Sequence, residues 1–189
     1  MCCAMSLEKM ESQLKVKIAR NATVSTHAFT DFFKGFERVE AVRRIFGDET
    51  EHVLSNLRVE FFGRRGYMGV SDEDGHLMVS AYYLNCGDYA DLYLDVVHEL
   101  VHVKQFMEGK ELFDDHYSYV DRPTEIEAYR HTVEEARRIG LTDEDIVEYL
   151  RTEWMTAEDV KKLAKTLGIN CIETAVAKPE KSFEKRRRR

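Results

Sequence analysis

The sequence predicts an α+β fold, and three observations support this. Stretches with apolar residues three and four positions apart indicate helices toward both ends of the chain. Between them lie three short segments rich in β-branched and aromatic residues, which indicate strands: Arg58–Phe62, Tyr67–Val70 and His76–Leu84. A helix that is apolar around much of its circumference follows the last strand. We therefore expect a small mixed or antiparallel sheet packed on one central helix.

Composition limits the class of protein. The chain has 189 residues and a net charge of −7, which fits one domain with an appendage and argues against a general nucleic-acid binder. No apolar run approaches the ~20 residues of a membrane span, and the N-terminus does not resemble a signal peptide. Cys2, Cys3, Cys86 and Cys171 lack C-x-x-C spacing, which favours a reduced, cytoplasmic protein. Lipidation or metal binding at Cys2-Cys3 is the alternative to an inert terminus.

The first part of the chain is predicted to be helical. Residues 6–20 have the spacing of an amphipathic helix, and a second helix is expected from His27 to Phe46. Its apolar stripe, which we interpret as core, consists of Phe29, Phe32, Phe33, Phe36, Val39 and Val42. Gly47 is expected to end this helix. Residues 1–56 are therefore interpreted as an N-terminal helical segment.

The remaining elements follow from start and stop signals. The central helix is expected from Tyr89 to Glu108, with Asp88 as its N-cap, and the next helix covers 123–139. Two shorter helices, 143–151 and 157–167, would dock on the rest of the protein, with Trp154 as their anchor. These predictions divide the chain into a core of residues 57–140, a helical appendage of 141–177 and a basic tail of 178–189.

The basic tail ends in four arginines and lacks apolar periodicity, so we expect it to be disordered. It would either bind an anionic partner, such as RNA or lipid, or remain a solvated terminus. The docked helices 143–151 and 157–167 also have two interpretations. They would either narrow access to the functional site or serve a purely structural role on the far side of the domain. The oligomeric state does not follow from the sequence.

The central helix contains His98-Glu99-Leu100-Val101-His102, an H-E-x-x-H motif. Two histidines four residues apart lie on one helix face, so both imidazoles can hold one Zn²⁺. Glu99 could then act as general base on a water held by the metal. The alternative is two core histidines hydrogen-bonded to neighbours. The histidines belong to a polar stripe on an otherwise apolar helix, whose members are Asp91, Asp95, His98, His102 and Gln105.

A catalytic zinc usually has three protein ligands and one open position, so a further ligand is expected. The next helix offers Glu125 and Glu127. Helical phase places Glu127 on a charged stripe facing solvent, whereas Glu125 borders the apolar face and should point toward the histidines. Glu127 also fits a capping box with Thr124, which would shift if Pro123 were the first helical residue. We therefore predict Glu125 as the third ligand, with Glu127 as the alternative.

The combination of H-E-x-x-H with Glu125-Ile126-Glu127-Ala128 on a second helix resembles the gluzincin zinc metallopeptidases. It is similar to ImmA/IrrE-type peptidases and to archaeal minigluzincins, over roughly residues 55–140. The resemblance implies a zincin-like fold, one zinc held by His98, His102 and Glu125, and Glu99 as catalytic base and acid. It also implies an edge strand along the substrate cleft, and the predicted strand His76–Leu84 has the matching position in the sequence.

The chain departs from the pattern four residues after Glu125. Many gluzincins have Asp or Asn there, orienting a metal histidine, but this chain has Tyr129. Either the Tyr129 hydroxyl or Asp95, one turn before His98, could take that role. A donor for the transition-state oxyanion is also needed, and His116, Tyr117 and Tyr119 in the loop between the two metal helices are candidates. The alternative is that they are ordinary loop residues.

These observations predict a cytoplasmic, zinc-dependent peptidase that acts on a peptide or protein. A zinc-binding regulatory or interaction protein with little turnover is the rival hypothesis, and hydrolysis of a non-peptide amide is a third. Glu99 favours an enzyme, because a structural zinc site has no need of a general base. Structural sites are also usually closed by four ligands that often include Cys, and no Cys lies near the motif.

Overall fold

The computed structural model describes residues 13–170 and has an α+β architecture, as predicted. The strands are β1 (Lys17–Ile18), β2 (Thr26–Ala28), β3 (Phe33–Lys34), β4 (Arg58–Phe62), β5 (Met68–Val70) and β6 (Leu77–Ser80). The helices are α1 (Phe29–Phe32), α2 (Glu40–Phe46), α3 (Thr50–Asn56), α4 (Ala81–Cys86), α5 (Tyr89–Met107), α6 (Pro123–Arg138), α7 (Asp143–Leu150) and α8 (Ala157–Thr166). Short 3₁₀ turns occupy Phe36–Arg38, Gly47–Glu49 and Tyr119–Asp121.

The main sheet is mixed and has the strand order β2-β4-β6-β5. Strands β4 and β6 run parallel, whereas β2 and β5 are antiparallel to their neighbours. The prediction that the third strand forms the cleft edge is therefore wrong. The chain turns back after β5 through residues 71–76, so β5 covers the outer side of β6 and becomes the edge strand itself.

The predicted third strand, His76–Leu84, is also too long. The strand ends at Ser80, whose side chain accepts a hydrogen bond from Tyr83 N at 3.3 Å and caps α4. The same hydroxyl donates to the carbonyl of Arg64 at 2.9 Å. A serine at this position starts a helix because its oxygen pairs with one of the free amides of the first turn.

The N-terminal segment predicted to be helical contains both helices and strands in the described residues. Lys17 and Ile18 form a strand paired with Phe33 and Lys34, and residues 26–28 pair with β4. The expected helix from His27 to Phe46 is interrupted by Gly35, which has a φ of +91°. A β-carbon there would lie 2.4 Å from the Lys15 carbonyl oxygen. Only glycine tolerates that combination readily, so the chain changes direction at this point.

The aromatic stripe nevertheless forms core, as predicted. The rings of Phe29 and Phe33 stack at 4.9 Å between centroids, and both contact Phe36 edge-on. All three side chains are buried. The periodicity therefore identified buried residues correctly but assigned them the wrong backbone conformation. The remainder of the predicted helix 6–20, the Cys2-Cys3 pair and the basic tail lie outside the described residues.

The central helix α5 is the axis of the domain. Asp88 caps it as predicted, accepting hydrogen bonds from the amides of Ala90 at 2.9 Å and Asp91 at 3.5 Å. Most of its side chains are buried, and it packs extensively against α6 as well as against β5 and α2. None of the helices in residues 13–170 is long and apolar enough to span a membrane.

The C-terminal helices dock on the domain through their predicted apolar faces. The buried side chains are Ile146, Val147, Leu150, Val160, Leu163 and Ala164. Helix α8 begins with a capping box formed by Thr156 and Asp159, whose three-residue spacing is already visible in the sequence, and Lys162 pairs with Asp121 at 2.6 Å. Trp154 is not a buried anchor, because 53% of its surface is exposed. Its ring instead contacts the rings of Tyr67 and Tyr119, so the appendage lies on the side of the domain that bears these residues.

One buried carboxylate joins α5 to α6. Glu135 is fully buried and accepts hydrogen bonds from the Tyr93 hydroxyl and from two nitrogens of Arg138, at 2.7 and 2.6 Å. Burial, together with the Glu135 charge, raises the pKa of Tyr93 well above its ordinary value. The phenol therefore remains a hydrogen-bond donor at any physiological pH. A buried charge is tolerated here because both of its oxygens are paired.

We predict that Glu135→Ala destabilises the protein by roughly 2–4 kcal/mol, because it leaves the Tyr93 hydroxyl unpaired and opens a cavity. Urea unfolding followed by circular dichroism measures this. Glu134→Ala is the matched control: its carboxylate is 60% exposed and pairs with Arg44 at the surface. The control should change stability by less than about 1 kcal/mol. Equal effects of the two variants would contradict this account of the buried pair.

Candidate metal centre and cleft

Three ligand atoms converge where α5 crosses α6. His98 Nε2 lies 3.1 Å from His102 Nε2, and Glu125 Oε2 lies 3.3 and 3.6 Å from these two nitrogens. All three residues are buried, with at most 6% of their surface exposed. Glu125 therefore points toward the two histidines, as its position on the helix predicts. These residues form a group that could hold a metal ion.

The spacing suits a tetrahedral ion. Ligand atoms about 2.0–2.1 Å from a zinc are separated from one another by roughly 3.3 Å, close to the three distances observed. Glu125 Oε2 is buried and accepts no hydrogen bond of normal geometry. An unpaired buried carboxylate oxygen is costly, so a cation between the three atoms would satisfy it. The donor set of two imidazoles and a carboxylate is one that catalytic zinc sites use.

The pKa values of the three candidate ligands depend on burial and on the charges of the neighbouring residues. Burial lowers the pKa of His98. Burial would also lower that of His102, but Glu125, Glu99 and Gln105 outweigh it and raise the pKa to about 9. Burial opposes ionisation of Glu125, yet the two histidines hold its pKa well below the usual range. These opposite shifts of the His102 and Glu125 pKa values favour positive charge beside the Glu125 carboxylate, which a bound metal cation would also supply.

Glu127, the alternative ligand, points elsewhere. Its carboxylate accepts hydrogen bonds from Gln105 Nε2 and Lys110 Nζ, both at 2.9 Å. Pro123 is the first helical residue, so the capping box with Thr124 does not form. Glu127 is half-buried rather than on a fully solvated stripe.

Gln105 orients one of the histidines, a role that the sequence analysis did not assign. Its Oε1 lies 2.7 Å from His102 Nδ1, and its amide nitrogen donates to the Thr124 carbonyl at 3.0 Å. Partners of this kind fix the ring orientation of metal ligands. The signal was present in the sequence, because Gln105 continues the polar stripe one turn beyond His102.

Neither candidate for orienting His98 does so. Both carboxylate oxygens of Asp95 accept hydrogen bonds from tyrosines: Tyr149 at 2.8 Å, and Tyr83. The Tyr129 ring packs on the His98 ring at 4.4 Å between centroids, and its hydroxyl bonds that of Tyr119. His98 Nδ1 is consequently buried without a hydrogen-bond partner. The departure from the gluzincin pattern at Tyr129 therefore leaves the Nδ1 side of the His98 ring in contact with packing groups and without a hydrogen bond.

A cavity of about 200 Å³ opens beside the three ligand atoms. Glu99, Asp95, Tyr119 and Tyr129 line it, together with edge strand β5. Burial, with contributions from Glu125 and Asp95, raises the pKa of Glu99 to about 8, although His102 opposes this. Three C-terminal residues complete the wall: Tyr149, Thr152 and Trp154. The appendage thus borders the cleft, and the alternative of docking on the far side is wrong.

Only one of the three predicted oxyanion donors belongs to this cavity. Tyr119 lines it, whereas His116 is 86% exposed and bonds Asp114 at 2.8 Å. Tyr117 is 46% exposed and is not part of the lining. The loop between α5 and α6 turns these two side chains toward solvent. A cluster of Asp114, Asp115 and His116 also has metal-ligand spacing, but it is largely exposed.

No protein-family model, curated protein or solved structure matches the chain. The resemblance to gluzincins therefore rests on the two motifs and on the geometry into which they fold.

We predict that His98→Ala, His102→Ala and Glu125→Ala each abolish tight binding of one metal ion per chain, because each removes one of three ligands. Metal analysis of the purified variants and competition with a chromophoric chelator measure this. Glu127→Ala is the matched control, since it removes a carboxylate two residues away that faces Lys110. The assignment would be wrong if Glu127→Ala lost the metal and Glu125→Ala retained it.

Proposed function

We propose that this protein is a zinc-dependent peptidase of the gluzincin type. The observation that carries the proposal is the convergence of His98, His102 and Glu125 beside a cavity that Glu99 also lines. Zinc, when bound there, would lower the pKa of a water toward ~7 and polarise a carbonyl. Two imidazoles and one carboxylate would hold the metal, and three protein ligands are the number typical of catalytic rather than structural zinc.

Glu99 is the proton-transfer group in this proposal. It follows His98 directly on α5, lines the cavity and is 9% exposed. Burial raises its pKa to about 8, so the side chain is ionised in part near neutral pH. When ionised, it would accept a proton from the attacking water and then deliver that proton to the leaving amine. A general base works best when its pKa lies near the working pH, and burial provides that here.

The Tyr119–Tyr129 pair offers an oxyanion donor. The two hydroxyl oxygens are 2.9 Å apart, and either one can donate to the other. Two hydroxyls that share one hydrogen bond retain one further proton, and both side chains line the cavity. Burial raises the pKa of each phenol, so both remain protonated. In our proposal Tyr129 donates to Tyr119, which turns its own proton toward the developing oxyanion.

Edge strand β5 is suited to hold an extended peptide. At the two ends of β5, the Tyr67 carbonyl accepts a hydrogen bond from Ser80 N, and Ser71 N donates to the carbonyl of His76, the residue before β6. Antiparallel pairing alternates, so the main-chain groups of Met68 and Val70 point away from β6. This edge borders the cavity, and addition of a strand to such an edge is a common mode of peptide recognition.

One observation favours the rival hypothesis of a zinc-binding protein with little turnover. His98 Nδ1 has no hydrogen-bond partner, and loss of such a partner typically reduces metal affinity or activity about 10–100-fold. A wild-type protein that binds zinc stoichiometrically but cleaves no member of a diverse peptide library would support that rival.

We predict that Glu99→Gln retains the bound metal and the fold but reduces peptide hydrolysis by at least about 10³-fold. Glutamine preserves the size of the side chain but cannot accept the water proton. Turnover of a quenched fluorescent peptide library measures this, with metal content and thermal unfolding as parallel checks. Cleavage at the wild-type rate would exclude Glu99 as the base.

We predict that Tyr119→Phe combined with Tyr129→Phe lowers kcat by roughly 10²–10³-fold with little change in KM, as loss of an oxyanion donor does. Steady-state kinetics of the zinc-loaded enzyme measure this. Tyr82→Phe, which alters a tyrosine outside the cavity lining, is the control and should retain full activity. If the double variant also retained full activity, the oxyanion donor would have to be a different group.

A further inference from the structure

The connection between α7 and α8 contributes part of the cavity wall. Tyr149, near the end of α7, lines the cavity. Thr152 and Trp154, in the irregular segment between α7 and α8, line it as well. The Trp154 ring meets Tyr67 at 5.4 Å and Tyr119 at 6.1 Å between centroids, nearly perpendicular to both. Three rings from separate parts of the chain therefore meet beside the cavity, while half of the Trp154 surface stays open to solvent.

Thr152 adds an unsatisfied polar group to this wall. Its Oγ1 is buried and has no hydrogen-bond partner among the described residues, although the side chain lines the cavity. A threonine hydroxyl can both donate and accept, so after rotation about its Cα–Cβ bond it would pair with a peptide amide or carbonyl that entered the cavity. A buried hydroxyl without a partner is unfavourable, so a ligand that forms a hydrogen bond with Thr152 would bind more tightly.

We infer that Thr152 and Trp154 form a substrate-binding subsite that selects peptides carrying a large apolar side chain. Trp154, with Tyr67 and Tyr119, would contact that side chain, and Thr152 would hydrogen-bond the peptide backbone next to it. The inference rests on the proposed peptidase function. The cavity volume of about 200 Å³ accommodates one bulky side chain.

The lining favours an apolar rather than a cationic side chain. Met68, Val70, Leu112 and Phe113 add further apolar surface to the aromatic rings. Two carboxylates of the cavity are already engaged, because Asp95 accepts hydrogen bonds from two tyrosines and Glu125 lies among the three candidate metal ligands. A lysine side chain would therefore find few free negative charges to compensate its desolvation.

Binding can be measured without cleavage, because Trp154 is the single tryptophan of the chain. The full-length Glu99→Gln variant, loaded with zinc, is titrated with blocked pentapeptides of alanine whose central residue is phenylalanine, leucine, alanine, lysine or glutamate. We expect the phenylalanine peptide to shift the tryptophan emission and to bind at least about tenfold more tightly than the alanine peptide. Calorimetry gives the same affinities for variants that lack Trp154.

Two substitutions distinguish the role of Trp154 from that of Thr152. Trp154→Ala should remove the preference for phenylalanine over alanine, whereas Thr152→Val should weaken all five peptides several-fold without changing their order. Val24→Ala, which alters an exposed apolar residue outside the cavity, is the control and should change neither. Thermal unfolding of each variant establishes that it is folded before the comparison is made.

The inference is overturned if Trp154→Ala keeps the phenylalanine preference, if the lysine peptide binds most tightly, or if no peptide binds. Its failure is distinguishable from failure of the proposed function. Wild-type cleavage without a preference for large apolar residues would refute the subsite and leave the peptidase standing. Selective binding by Glu99→Gln with no cleavage by the zinc-loaded wild type would support the subsite and refute the peptidase.

Discussion

The constraint on which the structure depends is the polar stripe of α5, which lies within an apolar core. Its members Asp95, His98, His102 and Gln105 are carried by a helix whose remaining faces are largely buried. Each polar group withdrawn from water needs a partner, because an unpaired one costs several kcal/mol. The surrounding elements are arranged so that nearly every member of the stripe has one.

The partners come from distant parts of the chain. Tyr83 and Tyr149 bond Asp95, Glu125 faces the two histidines, and Gln105 reaches the Thr124 carbonyl. The stripe thus joins α4, α6 and α7 to the central helix. This arrangement connects stability to function, since the hydrogen bonds that satisfy the helix also build one side of the cavity. The atoms without partners, Glu125 Oε2 and His98 Nδ1, lie at the centre where a metal would bind.

The C-terminal appendage belongs to the cavity as much as the motif helices do. Its apolar faces explain why it docks, because short helices are marginal without a surface to pack on. Its location is explained by the contacts of Tyr149, Trp154 and Lys162 with groups around the cleft. A small α+β core with an open site would leave Tyr67 and Tyr119 exposed, and the appendage covers part of both.

The sequence by itself determined the features that depend on local spacing. These are the H-E-x-x-H pair on one helix face, the inward phase of Glu125, the Asp88 and Thr156 caps and the set of buried apolar residues. Each follows from helical periodicity or from the hydrogen bonds of a single turn, which neighbours in sequence decide. Only the tertiary structure decided that β5 is the edge strand, that Gly35 breaks the second helix, that Asp95 bonds tyrosines, and that Thr152 and Trp154 line the cavity. These features depend on pairing and packing between segments far apart in the chain, and periodicity within one segment carries no information about which distant segment satisfies it.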